Sequence, residues 1–203
     1  MKGLIFITHQ NERFNYLQSV AIALGGGCRL IQLRMKDVSD NIVLQTALQA
    51  KEMCDRHNAQ LFIDDRVEIC KTVGAAGVHL GRHDMSPADA RALLGTGFII
   101  GGTANTLDDI VALNRQRVDY IGLGPFRFTA TKKNLSPVLG IAGYRNIMQQ
   151  CCENNLRLPV FAIGGITAND VPDLINAGVS GVAISSAILN ADDPIEAVKK
   201  FNV

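Results

Sequence analysis

Eight short runs of apolar, largely β-branched residues recur along the chain, and stretches with helical spacing lie between them. This alternation constrains the fold more than any other feature. The runs fall at 4–8, 30–33, 61–64, 77–80, 98–101, 120–123, 160–163 and 182–185. Several are almost continuously apolar, as strands buried on both faces are. Helix starts are marked by Ser39-Asp40 before 42–57, by Ser86-Pro87 before 88–94, and by Thr167 before 168–177, which Gly178 ends. Eight strands need a closed or a very large sheet. A right-handed βα series closes most economically as a single-domain (β/α)8 TIM barrel spanning 1–203. An open doubly wound sheet competes, but it prefers fewer strands and a glycine-rich first turn, whereas His9-Gln10-Asn11-Glu12 follows the first run.

Composition agrees with one domain. With 203 residues, 47% hydrophobic, the chain can bury a substantial core, and no low-complexity linker divides it. A net charge of +1 and the absence of a basic stripe with interleaved aromatics argue against nucleic acid. No apolar run is long enough to span a bilayer, so no membrane is expected. Met1-Lys2-Gly3 leads into the first strand without a signal-peptide pattern, and a cytoplasmic location is the expectation. Cys28, Cys54, Cys70, Cys151 and Cys152 are odd in number and lack paired C-x-x-C spacing, which reads as buried or incidental thiols.

The chemistry-bearing residues fall at the strand ends, where barrels of this class carry their sites. After the sixth strand, Gly124-Pro125-Phe126-Arg127-Phe128-Thr129-Ala130-Thr131-Lys132-Lys133 combines a turn, hydroxyls at i and i+2 and three cations, suited to phosphate oxygens; the plainer reading is a solvated basic loop. In Gln32-Leu33-Arg34-Met35-Lys36 the period of two puts Gln32, Arg34 and Lys36 on one face. Two cations aimed into a barrel need an anion, either a ligand or a structural partner at Asp64 or Asp65. Asp65 and Asp84, from neighbouring strand ends, suit a hard divalent cation whose shell a phosphate completes, a magnesium pattern. His79 and His83 straddle a strand end, which disfavours zinc. Gly164-Gly165 and Ser185-Ser186, after the last two strands, suit a phosphate held by backbone N–H groups; tight turn packing would choose the same residues.

In order along nearly the whole chain, the segments QLRMK, FIDDRVEI, GVHLGRHD, YIGLGPFRFTATKK, AIGGIT and GVSGVAISSAI resemble the thiamine-phosphate synthase family. Members of that family join a hydroxymethylpyrimidine diphosphate to a thiazole phosphate, releasing diphosphate and forming thiamine monophosphate. The resemblance implies that Gln32, Arg34, Lys36, Asp64, Thr103 and Lys132 bind the pyrimidine diphosphate, with Arg34, Lys36 and Lys132 catalytic. It implies that Asp65 and Asp84 hold Mg2+, and that Thr129, Thr131, Gly165, Ser185 and Ser186 surround the thiazole phosphate. Partners are then small phosphorylated molecules, with homo-oligomerisation left open, and the 125–140 loop becomes a lid. Three positions depart from the family pattern: Asp64 replaces the usual asparagine, Thr103 a common serine and Asn105 a frequent histidine. Two other readings stay open, a related thiazole tautomerase and a non-catalytic, regulatory phosphate-binding barrel.

Overall fold

The computed structural model describes residues 1–128 and 137–201. Its strands are β1 (Gly3–Ile7), β2 (Leu30–Leu33), β3 (Gln60–Asp64), β4 (Gly77–Leu80), β5 (Ile99–Ala104), β6 (Tyr120–Leu123), β7 (Val160–Ile163) and β8 (Gly181–Ile184). Each pairs in parallel with the next, and β1 pairs with β8 through Leu4 and Val182, closing the barrel. The helices between strands are α1 (Tyr16–Gly25), α2 (Asp40–Arg56), α3 (Val67–Val73), α4 (Pro87–Leu94), α5 (Leu107–Arg115), α6 (Gly140–Glu153) and α7 (Val171–Asn176). The short α8 (Ser186–Leu189) and then α9 (Pro194–Lys199) follow β8. The architecture is the single-domain (β/α)8 barrel that the alternation implies.

Burial on both strand faces has two separate destinations. Leu4, Phe6, Ile31, Leu33, Leu61 and Ile63 face outward into the layer shared with the helices. Ile5, Ile7, Phe62, Tyr120, Phe161 and Ala183 fill the barrel interior. At roughly 25 cal/mol per Å² of apolar surface removed from water, this double burial is the main source of stability. Boundaries differ from expectation by one or two residues at β1, β3, β8, α2 and α4, and by more in two places. Strand β5 runs on to Ala104, because Thr103 and Ala104 still pair with Gly122 and Leu123 of β6. The stretch at 168–177 is not one helix: a 3-10 turn, Ala168–Asp170, precedes α7. Pro172 has no N–H to return to the carbonyl of residue 168, so the α-helix begins only at Val171.

All five cysteines are free, four buried and Cys152 exposed. Burial pushes the Cys54 and Cys70 thiols up to about 12, in keeping with packing residues. No helix among the described residues is long and apolar enough to cross a membrane.

Candidate active site

A cavity of about 880 Å³ opens at the C-terminal ends of the strands. Pairing of β1 with β2 brings Thr8 beside Arg34: Thr8 Oγ1 accepts from Arg34 N at 2.9 Å and donates to Arg34 O at 3.3 Å. With Leu33 and Met35 buried in the outer layer, this clasp sends Arg34 and Lys36 towards the mouth. Gln32, 4% exposed, points into the barrel and donates from Nε2 to Asp64 Oδ1 at 2.5 Å.

Asp64 ends β3 and meets the cations with its other oxygen. Its Oδ2 lies 3.5 Å from Arg34 Nε and 4.0 Å from Lys36 Nζ, and Lys36 also hydrogen-bonds Asp65. Burial first, then the charge of Asp65, pushes the Asp64 carboxyl up to about 7 against the pull of Lys36, Arg34 and Gln32. Asp65 sits at φ 65°, a left-handed conformation that aspartate tolerates better than most residues. Its amide is held by His79 O at 2.9 Å. Asp84 Oδ2 accepts from Gly81 N at 2.7 Å, and the Asp65 and Asp84 carboxyls are neighbours. Burial, then the neighbouring Asp84 carboxyl, raises Asp65. For Asp84 burial is again the largest influence and acts upward, yet the neighbouring Asp65 carboxyl, the hydrogen bond from Gly81 N and the charge of Lys36 outweigh it and hold this carboxyl low.

Three carboxylates thus face two cations, and the two at Asp65 and Asp84 are within hydrogen-bonding reach of each other. Carboxylates that otherwise share a proton at this distance form a donor set suited to a hard cation. Among the described residues no group of three or more His, Cys, Asp or Glu side chains is placed to hold a metal. One or two carboxylates completed by waters and substrate phosphates is the usual magnesium shell, so the residues present fit that ion. They do not fit zinc at His79: its Nδ1 lies 3.0 Å from Tyr120 Oη and its Nε2 2.9 Å from Thr103 Oγ1, within the barrel.

Across the mouth, Gly165, Ser185 and Ser186 line the same cavity. Packing also demands the glycines here, since a Cβ on Gly164 would meet Pro125 Cβ at 2.8 Å and one on Gly165 would meet Arg127 Cβ at 2.8 Å. Arg127, grouped by its sequence with the phosphate-binding cations, is instead tied to Asp170 by two hydrogen bonds of 2.5 Å and lies over the Phe126 ring. Thr129, Thr131 and Lys132, with the rest of 129–136 in the 125–140 loop, lie outside the described residues. The structure therefore gathers Gln32, Arg34, Lys36, Asp64, Asp65, Asp84, Thr103, Gly165, Ser185 and Ser186 around one cavity. Sequence reasoning missed two contributors. Thr8, at the end of β1, carried no motif. His79 was weighed only as a metal ligand, although its place in a strand pointed inward was the available signal.

Fold and cavity together define a small-molecule enzyme of the (β/α)8 class, with a mouth carrying both cations and carboxylates. A family model described as thiamine monophosphate synthase matches residues 4–188, and the chain belongs to that family. It is 52% identical over 201 residues to a thiamine-phosphate synthase of Bacteroides fragilis, covering 99% of this chain and 98% of the relative. A thiamine-phosphate synthase of Flavobacterium psychrophilum is 42% identical, with 92% and 90% covered. The solved thiamine phosphate pyrophosphorylase of Pyrococcus furiosus superposes with a TM-score of 0.85 at 30% identity, covering 98% of this chain and 93% of that one. Membership supports thiamine-phosphate synthase activity, a transferase activity of thiamine biosynthesis.

Proposed function

We propose that the chain condenses hydroxymethylpyrimidine diphosphate with hydroxyethylthiazole phosphate, carboxylated or not, to thiamine monophosphate and diphosphate, the carboxylated form also losing CO2. The observation that carries this reading is the placement of Arg34 and Lys36 against Asp64, Asp65 and Asp84 within one cavity at the strand ends. In the reaction the bond between the pyrimidine methylene and the diphosphate oxygen breaks, its electron pair leaving with the oxygen. The electron-rich aminopyrimidine delocalises the resulting cation. The thiazole nitrogen lone pair then forms the new carbon–nitrogen bond and the nitrogen becomes quaternary; it had no proton to lose, so no general base is required.

The chain's work is electrostatic and positional. Arg34 and Lys36 exchange their pairing with Asp64 and Asp65 for the leaving diphosphate, and Lys132 joins them. Asp65 and Asp84 would hold Mg2+, which would supply further neutralisation of the diphosphate charge. Gln32, Asp64 and Thr103 meet the pyrimidine half, while Thr129, Thr131, Gly165, Ser185 and Ser186 surround the thiazole phosphate. A steady-state assay with both substrates tests the reading. Release of diphosphate with thiamine monophosphate supports it. Isomerisation of the thiazole carboxylate phosphate alone would make the chain a tautomerase, and ligand binding without turnover a regulatory barrel.

A further inference from the structure

His79 is a buried polar side chain to which the reaction above gives no role. It stands on β4 with its ring in the barrel interior, between the Tyr120 phenol on β6 and the Thr103 hydroxyl on β5. The barrel is built to admit this arrangement. A Cβ on Gly101 would lie 2.2 Å from Tyr120 Cζ, and one on Gly122 would lie 3.1 Å from His79 Cε1, so two strands omit side chains where these rings pass. Phe62 and Phe161 hold the phenol edge-on, each with its centroid 5.8 Å away, at 76° and 79°.

Hydrogen-bond accounting then fixes the direction of each proton. Tyr120 is 1% exposed, and burial, with the charge of Asp64 adding to it, keeps its hydroxyl protonated. Among the described residues the phenol proton has one acceptor, His79 Nδ1 at 3.0 Å. A buried donor without an acceptor is costly, so the phenol donates and Nδ1 accepts. The imidazole N–H is then on Nε2, 2.9 Å from Thr103 Oγ1, which accepts it. Thr103 makes no other side-chain hydrogen bond among the described residues, and its own proton is left for the cavity it lines.

We propose that Tyr120 and His79 are positioning residues that hold the Thr103 hydroxyl as a donor into the site, selecting a ligand with an unprotonated, hydrogen-bond-accepting ring nitrogen at that point. The inference rests on the pyrimidine reading of the site for the identity of the acceptor, but not for the relay itself. It also serves the chemistry: a ring nitrogen that keeps its lone pair leaves the heterocycle electron-rich, as the cationic step needs.

Nitrogen-15 NMR of histidine-labelled, ligand-free protein, with His79→Gln for assignment, reads the relay directly. The expected result is an unprotonated Nδ1 and a protonated Nε2 at His79; a protonated Nδ1 beside an unprotonated Nε2 overturns it. Kinetics read the consequence. Tyr120→Phe, which removes the proton that fixes Nδ1, should raise KM for the pyrimidine diphosphate about tenfold, a loss on the scale of one hydrogen bond. Its affinity for inorganic diphosphate, which also reports folding, should stay at the wild-type value. Thr103→Val should lose at least as much as Tyr120→Phe, and the conservative Thr103→Ser should recover most of that loss. A wild-type KM in Tyr120→Phe, or an equal loss of diphosphate affinity, overturns the proposal. If the wild-type protein does not turn over the pyrimidine substrate at all, the functional reading fails while the NMR result still decides the relay.

Discussion

Gln32 and Asp64, on adjacent strands and both buried, are joined by a 2.5 Å hydrogen bond from Nε2 to Oδ1, while the second Asp64 oxygen faces Arg34 and Lys36. The carboxylate that stands where the family usually has asparagine therefore draws on the same cations that the diphosphate needs. Asp64→Asn keeps an acceptor for Gln32 and releases both cations. KM for the pyrimidine diphosphate should fall by up to about tenfold, equivalent to ~1.4 kcal/mol. Titration of magnesium at saturating substrates should give the wild-type curve, whereas a shift to higher magnesium would make Asp64 a metal ligand.

Asp65 and Asp84 offer few oxygens, and a cation that keeps several waters needs more. Calorimetry should detect weak magnesium binding or none in the free protein, and tight binding once diphosphate is added. Tight binding to the free protein would contradict this division of the metal shell.

Arg34 is positioned through its backbone by Thr8, so removal of its side chain leaves the clasp between β1 and β2 intact. Arg34→Ala should lower turnover on the order of a hundredfold by removing charge stabilisation from the leaving group. Its thermal midpoint should change little. Loss of folding, with activity per folded molecule near wild type, would instead assign Arg34 to a structural ion pair.

At the mouth, the Arg127 hydrogen bonds hold the Asp170 carboxyl at about 2, burial acting against them and bonds with Thr167 assisting. An unfolded aspartate titrates near 3.9, so the folded value is depressed. The stabilisation is complete above about pH 4 and is lost as pH falls towards 2. With the guanidinium 48% exposed, screening limits it to roughly 1 kcal/mol. Urea unfolding between about pH 2 and 6 should show a steeper acid loss in the wild type than in Asp170→Asn; identical slopes would remove the ion pair from the account.

Much of the barrel was legible because strand burial on both faces leaves a direct mark, near-continuous apolar runs such as 120–123 and 160–163. The one misjudged helix turned on Pro172, whose missing N–H acts only through the exact start of the helical ladder. At the site, the period of two exposed Gln32, Arg34 and Lys36 as one face. Partnerships across strands leave no local pattern, so neither the Thr8–Arg34 clasp nor the Tyr120–His79–Thr103 chain could be read along the sequence. Arg127 shows the converse: a cation beside a phosphate-like motif was claimed by Asp170, 43 residues away.

The most direct test of the account is a crystal structure with magnesium and a non-reactive analogue of the pyrimidine diphosphate. The expected result has the diphosphate held by Arg34 and Lys36, with the Lys36–Asp65 pair broken and magnesium bridging Asp65, Asp84 and the diphosphate oxygens. A diphosphate seated elsewhere, with the Arg34–Asp64 and Lys36–Asp65 pairs intact and no metal at Asp65 and Asp84, would contradict it.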